Sequence, residues 1–257
     1  MNKLFADKMI VITGGSMGIG AATALSFKEE GGQIVILDVE EPNEEIKAKL
    51  NRSVHFIHCD VSKSSDVKNA FAQIENKWKH VDVLVNNAGI QTYGTAITTT
   101  EEIWDRTMDV NLKAMFLCAK YCIPLMLQQP APVIVNVSSV QGFVCQKDVL
   151  AYATSKAAIA GLTRSIAIDY APKLRCVAVS PGAVNTPMLQ HDIEKLVDKN
   201  LQNAALKETE GIHLLNRIAS PKEIANFIVF LASEKASFAT GQTYRVDGGI
   251  GTKIEGT

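Results

Sequence analysis

The apolar run Lys8-Met9-Ile10-Val11-Ile12-Thr13, which stops abruptly in glycines, constrains this chain more than any other stretch. An unbroken run of that length reads as a strand buried on both faces. Gly14, Gly15, Gly18 and Gly20 follow at once, and Ala21-Ala22-Thr23-Ala24-Leu25-Ser26-Phe27 starts a helix. Strand, glycine turn and helix together present backbone N–H groups at a helix N-terminus, an arrangement that suits a phosphate. The glycines permit the tight turn and a close approach of backbone to a pyrophosphate. The spacing is Gly-x-x-x-Gly-x-Gly, not the commoner Gly-x-Gly-x-x-Gly, and alone it also fits a plain turn. A second apolar run, Gln33-Ile34-Val35-Ile36-Leu37, ends at Asp38. A carboxylate there can accept hydrogen bonds from the adenosine ribose hydroxyls and would repel a 2′-phosphate. Met17 brings no positive charge to offset it. The pair therefore points to NAD over NADP; the plainer alternative is a solvated Asp capping the segment Glu40-Glu41-Pro42.

The same alternation continues along the chain. Strands are expected near 8–13, 33–38, 54–59, 81–86, 132–138, 174–180 and 242–246, and helices near 18–30, 64–79, 100–128, 151–170, 190–206 and 221–233. Apolar strands alternating with helices predict an α/β fold, with a parallel sheet covered on both faces and right-handed crossovers. No linker, repeat or low-complexity run divides residues 1–257, so one domain is expected, and 47% apolar residues can supply its core. Pro172 should stop one helix, and Ser220-Pro221 with Glu223 should start another. With 26 basic and 27 acidic residues, a general affinity for nucleic acid or anionic membrane is not expected. No apolar run approaches the ~20 residues of a spanning helix, and the start of the chain has too short an apolar core for a signal peptide. Cys59, Cys118, Cys122, Cys145 and Cys176 lack metal-ligand spacing, and reduced, buried thiols in the cytoplasm are the expectation. The five histidines read as structural or surface residues, with His191 alone placed where it can touch a ligand.

Chemistry enters with Tyr152-Ala153-Thr154-Ser155-Lys156, preceded by Ser138-Ser139. Tyr and Lys four apart on a helix lie on one face, one turn apart. An ordinary phenol titrates near 10 and is a poor base at neutral pH; a nearby cation favours the phenolate. Two unit charges ~4 to 6 Å apart at an effective dielectric near 20 interact by roughly 3–4 kcal/mol, so Lys156 is expected to pull the Tyr152 pKa down. A hydroxyl from Ser139, or from its neighbour Ser138, can hold a substrate oxygen beside the phenol. The bland readings are a surface Tyr next to a solvated Lys and a strand-end Ser. Jointly, the three make a proton-transfer site for an alcohol or carbonyl.

These residues resemble the short-chain dehydrogenase/reductase family, and the similarity covers nearly the whole chain. Thr13-Gly14-Gly15-Ser16-Met17-Gly18-Ile19-Gly20 is similar to its cofactor turn, and Asn86-Asn87-Ala88-Gly89 to its motif after the fourth strand. The resemblance implies a doubly wound, Rossmann-type, seven-stranded parallel sheet flanked by helices. It implies adenine contacts from Asp60 and Val61, further cofactor contacts from Asn87, Ala88 and Gly89, and a nicotinamide seat from Pro181, Gly182, Val184 and Thr186. Ser139, Tyr152 and Lys156 match the family's catalytic trio, with Tyr152 and Lys156 also touching cofactor. Asn111 matches a mid-helix Asn that helps hold a proton-relay water, although a buried Asn can also be structural. Asp247-Gly248-Gly249 matches the end of the last strand.

By the same resemblance, the substrate pocket is lined by segments after the fourth and fifth strands and by a lid at about 187–215. Gln91, Tyr93, Gln141, Gln146 and Met188 are the candidate substrate contacts, with Phe143 nearby. Glutamines and a Tyr suggest a partly polar substrate such as a sugar or polyol. Met188, Leu189, Ile193, Leu196, Val197 and Leu201 add an apolar face at helical spacing. No metal is expected. The family often forms homotetramers through the helices near 100–128 and 151–170 and the C-terminal segment, whose tail, 250–257, can reach a neighbour. The leading expectation is an NAD-dependent secondary alcohol/ketone oxidoreductase. A 3-oxoacyl-carrier-protein reductase and a non-catalytic dinucleotide sensor are the alternatives.

Overall fold

The computed structural model describes residues 3–50 and 54–252. Its strands are β1 (Met9–Thr13), β2 (Gln33–Asp38), β3 (Val54–His58), β4 (Val83–Asn86), β5 (Val133–Val137), β6 (Arg175–Pro181) and β7 (Thr243–Val246). All pair in parallel, in the order β3-β2-β1-β4-β5-β6-β7. The central strands β1, β4 and β5 are buried at every residue, which is why their sequences are continuous apolar runs and not alternating ones. The strand order reverses between β1 and β4. Their following connections leave on opposite faces, and a crevice opens outside their carboxyl ends.

The helices are α1 (Gly18–Glu29), α2 (Glu44–Leu50), α3 (Ser64–Trp78), α4 (Glu101–Met108), α5 (Ala114–Met126), α6 (Leu150–Tyr170), α7 (Pro187–Leu196), α8 (Gln202–Gly211) and α9 (Pro221–Ala232). Side-chain alternation along the strands builds a core on each face. Ile10, Ile12, Ile34 and Ile36 pack under Phe27, Ile224 and Ile228 of α1 and α9. Met9, Val11, Val35 and Leu84 pack under Phe71, Leu117, Cys118 and Ile166 of α3, α5 and α6. A buried polar chain crosses the sheet: Asn86 Nδ2 donates to Asn136 Oδ1 (2.9 Å), and Asn136 Nδ2 donates to Thr163 Oγ1 (3.0 Å). It ties β4 and β5 to α6, the helix that carries Tyr152 and Lys156.

Three expectations change in detail. The helix expected over 100–128 is interrupted by a π turn at Asp109–Lys113. The single helix expected over 190–206 is two, α7 and α8, because the chain turns extended at Val197. The short α2 was not anticipated: its sequence buries only Leu50, so it carries almost no periodic signal. Four cysteines are buried as expected, but Cys145 is exposed, since the loop after β5 carries it away from the sheet. Among the described residues no cluster of His, Cys, Asp or Glu is arranged to hold a metal, and no helix is long and apolar enough to cross a membrane. Of the tail at 250–257, Ile250–Thr252 form a short 3-10 turn, while residues 253–257 lie outside the described residues, as does the Leu196 side chain.

The glycine turn is the tightest point of the fold. A Cβ at Gly20 would lie 2.0 Å from the Gly14 carbonyl oxygen and 2.6 Å from Asn87 Nδ2. Gly20→Ala should therefore cost about 1–3 kcal/mol of stability in urea melts and weaken NADH binding measured by fluorescence. An unchanged melt with unchanged NADH affinity would show that the turn is not under this constraint.

Candidate active site

The crevice at the carboxyl ends of the strands is a cleft of about 960 Å³. Its floor at one end is the glycine turn. Gly14 has φ +63° and Gly18 φ +54°, left-handed values that favour glycine. A Cβ on Gly14 would also meet Ala88 Cα at 2.8 Å. Asn87 holds the β4 loop against this turn, its Nδ2 donating to the carbonyls of Thr13 (3.1 Å) and Gly14 (2.8 Å). Thr13 Oγ1 accepts from the N–H groups of Asn87 (3.0 Å) and Ala88 (3.1 Å). The result is a groove whose wall is bare backbone at the start of α1, a fit for a pyrophosphate.

Asp38 stands at the end of β2. Its carboxylate accepts from the N–H groups of Ser16 (3.0 Å), Val39 (2.8 Å) and Glu40 (3.3 Å). The Ser16 hydroxyl donates to the Glu40 carbonyl. The capping role and the cleft-facing role thus coexist: the carboxylate is fixed by backbone and still lines the cleft. Asp60, which Ser62 holds below the usual carboxylate range by hydrogen bonding, lines the same end with Val61. Of the other residues expected to touch cofactor, Met17, Ile19, Asn87, Ala88, Gly89, Pro181, Gly182, Val184 and Thr186 also line the cleft; Ser16 and Gly20 lie just behind it and shape the turn.

At the centre Tyr152, Lys156 and Ser139 are all buried. Ser139 lies two residues beyond the end of β5, its Oγ accepting from the Gln141 N–H (3.2 Å), close enough to the Tyr152 phenol to influence its titration. The neighbouring Ser138 points elsewhere, its hydroxyl donating to the Lys156 carbonyl (2.8 Å). Lys156 Nζ donates to the Val137 carbonyl (3.1 Å) and lies 5.7 Å from the Tyr152 ring centroid. Burial pushes this ammonium down to about 8. Burial also raises the Tyr152 phenol, against the Ser139 hydrogen bond and with help from the Asp192 carboxylate. This runs against the expectation that Lys156 pulls the phenol down: burial is the largest influence on it, and the direction is upward.

Asn111 sits in the π turn. Its Nδ2 donates to the Ile90 carbonyl (2.9 Å) and Ser155 Oγ (3.1 Å), and its Oδ1 accepts from the Ile90 N–H (2.8 Å). The side chain is thus committed to holding the β4 loop against α6, and it does not line the cleft. His213 plays a comparable part on the other side. Its Nε2 accepts from the Ala183 N–H (3.1 Å) and its Nδ1 meets the Thr209 carbonyl (2.8 Å), so it joins α8 to the loop after β6.

Gln91, Tyr93, Gln141, Gln146 and Met188, the candidate substrate contacts, also line the cleft. Gln91 Nε2 donates to the Tyr93 hydroxyl (3.2 Å), and Gln141 Oε1 accepts from the Gln146 N–H (3.3 Å). Gly94 bridges Val149, which draws the loop carrying Tyr93 to the start of α6. His191 is exposed and away from the cleft; its neighbour Asp192 lines it. Phe143 faces Arg245 instead of the cleft. Sequence reasoning missed Asp192 because one acidic residue on an amphipathic helix reads as solvated. Its i+4 spacing from Met188 was the available signal.

Residues 14–251 match the family model described as enoyl-(acyl carrier protein) reductase. "Dehydrogenase/reductase SDR family member 6" of Xenopus laevis is 36% identical over 247 residues, 94% of this chain and 96% of that protein. The solved structure of Thermoplasma acidophilum aldohexose dehydrogenase superposes with a TM-score of 0.93 at 38% identity, covering 100% of this chain and 98% of that one. The 3-ketoacyl-(acyl-carrier-protein) reductase of Brucella melitensis, solved with NADH, gives 0.85 at 29% identity, covering 96% and 99%.

The buried ammonium makes a testable cost. An unfolded lysine holds its proton to 10.5, whereas Lys156 releases it near 8. Between these values the unfolded chain binds more protons, so this group's contribution to stability rises with pH across that window and is a penalty below it. Lys156→Met should be more stable than the parent at pH 7 by about 1–3 kcal/mol. That advantage should fade in urea melts taken between pH 8 and 10.5; a difference that is flat with pH would refute the penalty.

Proposed function

Because the chain belongs to the short-chain dehydrogenase/reductase family of oxidoreductases, we propose that it interconverts a secondary alcohol and a ketone with NAD. The observation that carries this reading is the burial of Tyr152, Ser139 and Lys156 together in the one cleft that also contains the glycine turn and Asp38. In the oxidising direction Tyr152 as phenolate takes the hydroxyl proton, while Ser139 holds the substrate oxygen and stabilises its developing charge. Lys156 favours the phenolate and offers its ammonium to ribose hydroxyls. When bound, the dinucleotide supplies the acceptor for the hydride that leaves the carbinol carbon.

The residues that would hold it are Gly14, Ser16, Met17, Gly18, Ile19 and Gly20 at the pyrophosphate, Asp38, Asp60 and Val61 at the adenosine, and Asn87, Ala88 and Gly89 with Pro181, Gly182, Val184 and Thr186 towards the nicotinamide. Asn111 acts in this reading as a positioning residue beside the proposed water relay. The preference for NAD rests on Asp38, whose fixed carboxylate would face a 2′-phosphate, with the uncharged Met17 beside it. The 3-oxoacyl-carrier-protein reductase reading draws on the Brucella neighbour, itself solved with NADH; a sensor without catalysis sits poorly with three intact catalytic groups. Residues 1–257 form one unit in this proposal, with 187–215 as its lid, working as a cytoplasmic homotetramer. Exposed Phe116 on α5 and Ile168 on α6 support the assembly.

Purified protein should oxidise secondary alcohols with NAD and reduce NADP poorly, followed by absorbance of the reduced nicotinamide. Tyr152→Phe should lose roughly 10²–10⁴-fold or more in turnover and still bind NADH. Near-normal turnover in that variant would defeat the assignment, and activity with NADP alone would overturn the Asp38 reading. Sedimentation at micromolar concentration should give four copies; a monomer would remove the assembly.

A further inference from the structure

His213 is the one buried histidine among the described residues, and its partners fix where its proton sits. Its Nδ1 lies 2.8 Å from the Thr209 carbonyl, an oxygen that only accepts, so Nδ1 carries a proton. Its Nε2 lies 3.1 Å from the Ala183 N–H, which only donates, so Nε2 carries none. Thr209 is in the last turn of α8, where carbonyls lack a partner within the helix, and the ring caps that end. With its other nitrogen the ring holds the loop after β6. On either side of Ala183 that loop is held by backbone: the Gly182 N–H donates to the Val246 carbonyl (3.1 Å) and the Asn185 N–H to the Ala219 carbonyl (2.9 Å). Ala183 between them is held by a side chain that can change its charge. Glycines let two stretches of backbone close on the ring. A Cβ at Gly182 would lie 2.8 Å from Nε2, and one at Gly248 would lie 3.2 Å from Cδ2.

We infer that His213 is a positioning residue for the nicotinamide seat: its neutral ring fixes the loop after β6 in binding shape, and protonation releases that loop. A protonated imidazole donates from both nitrogens. The Nδ1 bond to Thr209 survives the change, because a helix C-terminus favours a cation. Nε2, now a donor, faces the Ala183 N–H, donor against donor, and that bond is lost. The ring therefore stays with α8 and lets go of the segment that carries Gly182, Val184 and Thr186. Among its charged neighbours, α8 brings Glu208 and Glu210 in its last turn, and the segment after β7 brings Asp247. The Asp247 carboxylate is engaged by the N–H groups of Gly249 (3.0 Å) and Gly251 (3.1 Å). Gly182, Ala183 and Val184 bring no charge. Acid thus loosens the seat, and neutral pH restores it.

The inference rests on the reading of Pro181, Gly182, Val184 and Thr186 as the nicotinamide seat, and the test separates the two. Binding of NADH and of ADP-ribose, which has the adenosine and pyrophosphate but no nicotinamide, is measured by calorimetry at about pH 7.5 and about pH 6, within the range where histidines change charge. Lys156, which releases its proton near 8, holds it through most of this range and would favour binding in acid, the opposite sign. NADH affinity of the parent protein should fall about two- to tenfold on acidification, the worth of one neutral hydrogen bond, and ADP-ribose affinity should change less. His213→Gln can donate to Thr209 and accept from Ala183 but does not titrate here. It should bind NADH within about twofold of the parent at the higher pH and keep that affinity at the lower one. His213→Leu should bind NADH weakly at both, with ADP-ribose binding to verify that each variant is folded; if the Leu variant does not fold, the Gln variant decides. Equal pH profiles for the parent and His213→Gln would overturn the inference alone, since a merely structural histidine gives that result. An equal fall for ADP-ribose would do the same. A parent protein that binds NADH no more tightly than ADP-ribose would overturn the inference together with the reading of the seat.

Discussion

Parallel strands cannot be joined by tight turns, and everything in this molecule follows from that constraint. Each strand must be followed by a crossover, each crossover leaves from a carboxyl end, and all seven carboxyl ends lie along one edge. The glycine turn, Asp38, Asp60, the Asn86–Gly89 segment, Ser139 and the Pro181–Thr186 loop are far apart in sequence yet emerge from that edge side by side. The reversal of strand order between β1 and β4 then decides where along the edge the cleft opens. The chemistry is located by topology before any side chain makes a contact.

What the loops add is rigidity. Asn87 fastens the β4 loop to the glycine turn, Asn111 fastens its continuation to α6, and the Asn86–Asn136–Thr163 chain runs beneath. On the far side His213 fastens α8 to the loop after β6. Asn111, Asn136 and His213 each bond through both of their polar atoms, which is how polar groups become tolerable in a core, whereas Asn86 Oδ1 is buried without a partner. They hold the walls of the cleft without themselves reaching it, apart from Asn87.

The sheet was legible in the sequence because burial on both faces leaves an unmistakable apolar run, as at Ile10–Thr13 and Ile34–Leu37. The grouping of Tyr152, Lys156 and Ser139 in one cleft was legible because a Tyr and a Lys one helical turn apart are rarely placed together by accident beside a Ser just past a strand. The short α2 was hidden because one buried residue makes no period. The break between α7 and α8 was hidden because the apolar pattern runs on through Val197 and Leu201. Asn111 could be singled out by type, but only the structure shows that its amide is fully committed. The sign of the Tyr152 shift was also out of reach. Spacing reveals the cation, while desolvation depends on what covers both groups, and the charge of a residue as distant as Asp192 adds to the shift of the phenol.

Lys156 carries its proton at a cost that the fold alone does not recover. Free energy held in that way is available to any ligand that gives the ammonium hydroxyls to bind, and ligand binding stabilises the folded chain by mass action. The protein's persistence then becomes a reading of its ligand supply: copies that spend longer liganded open less often and meet proteases less often.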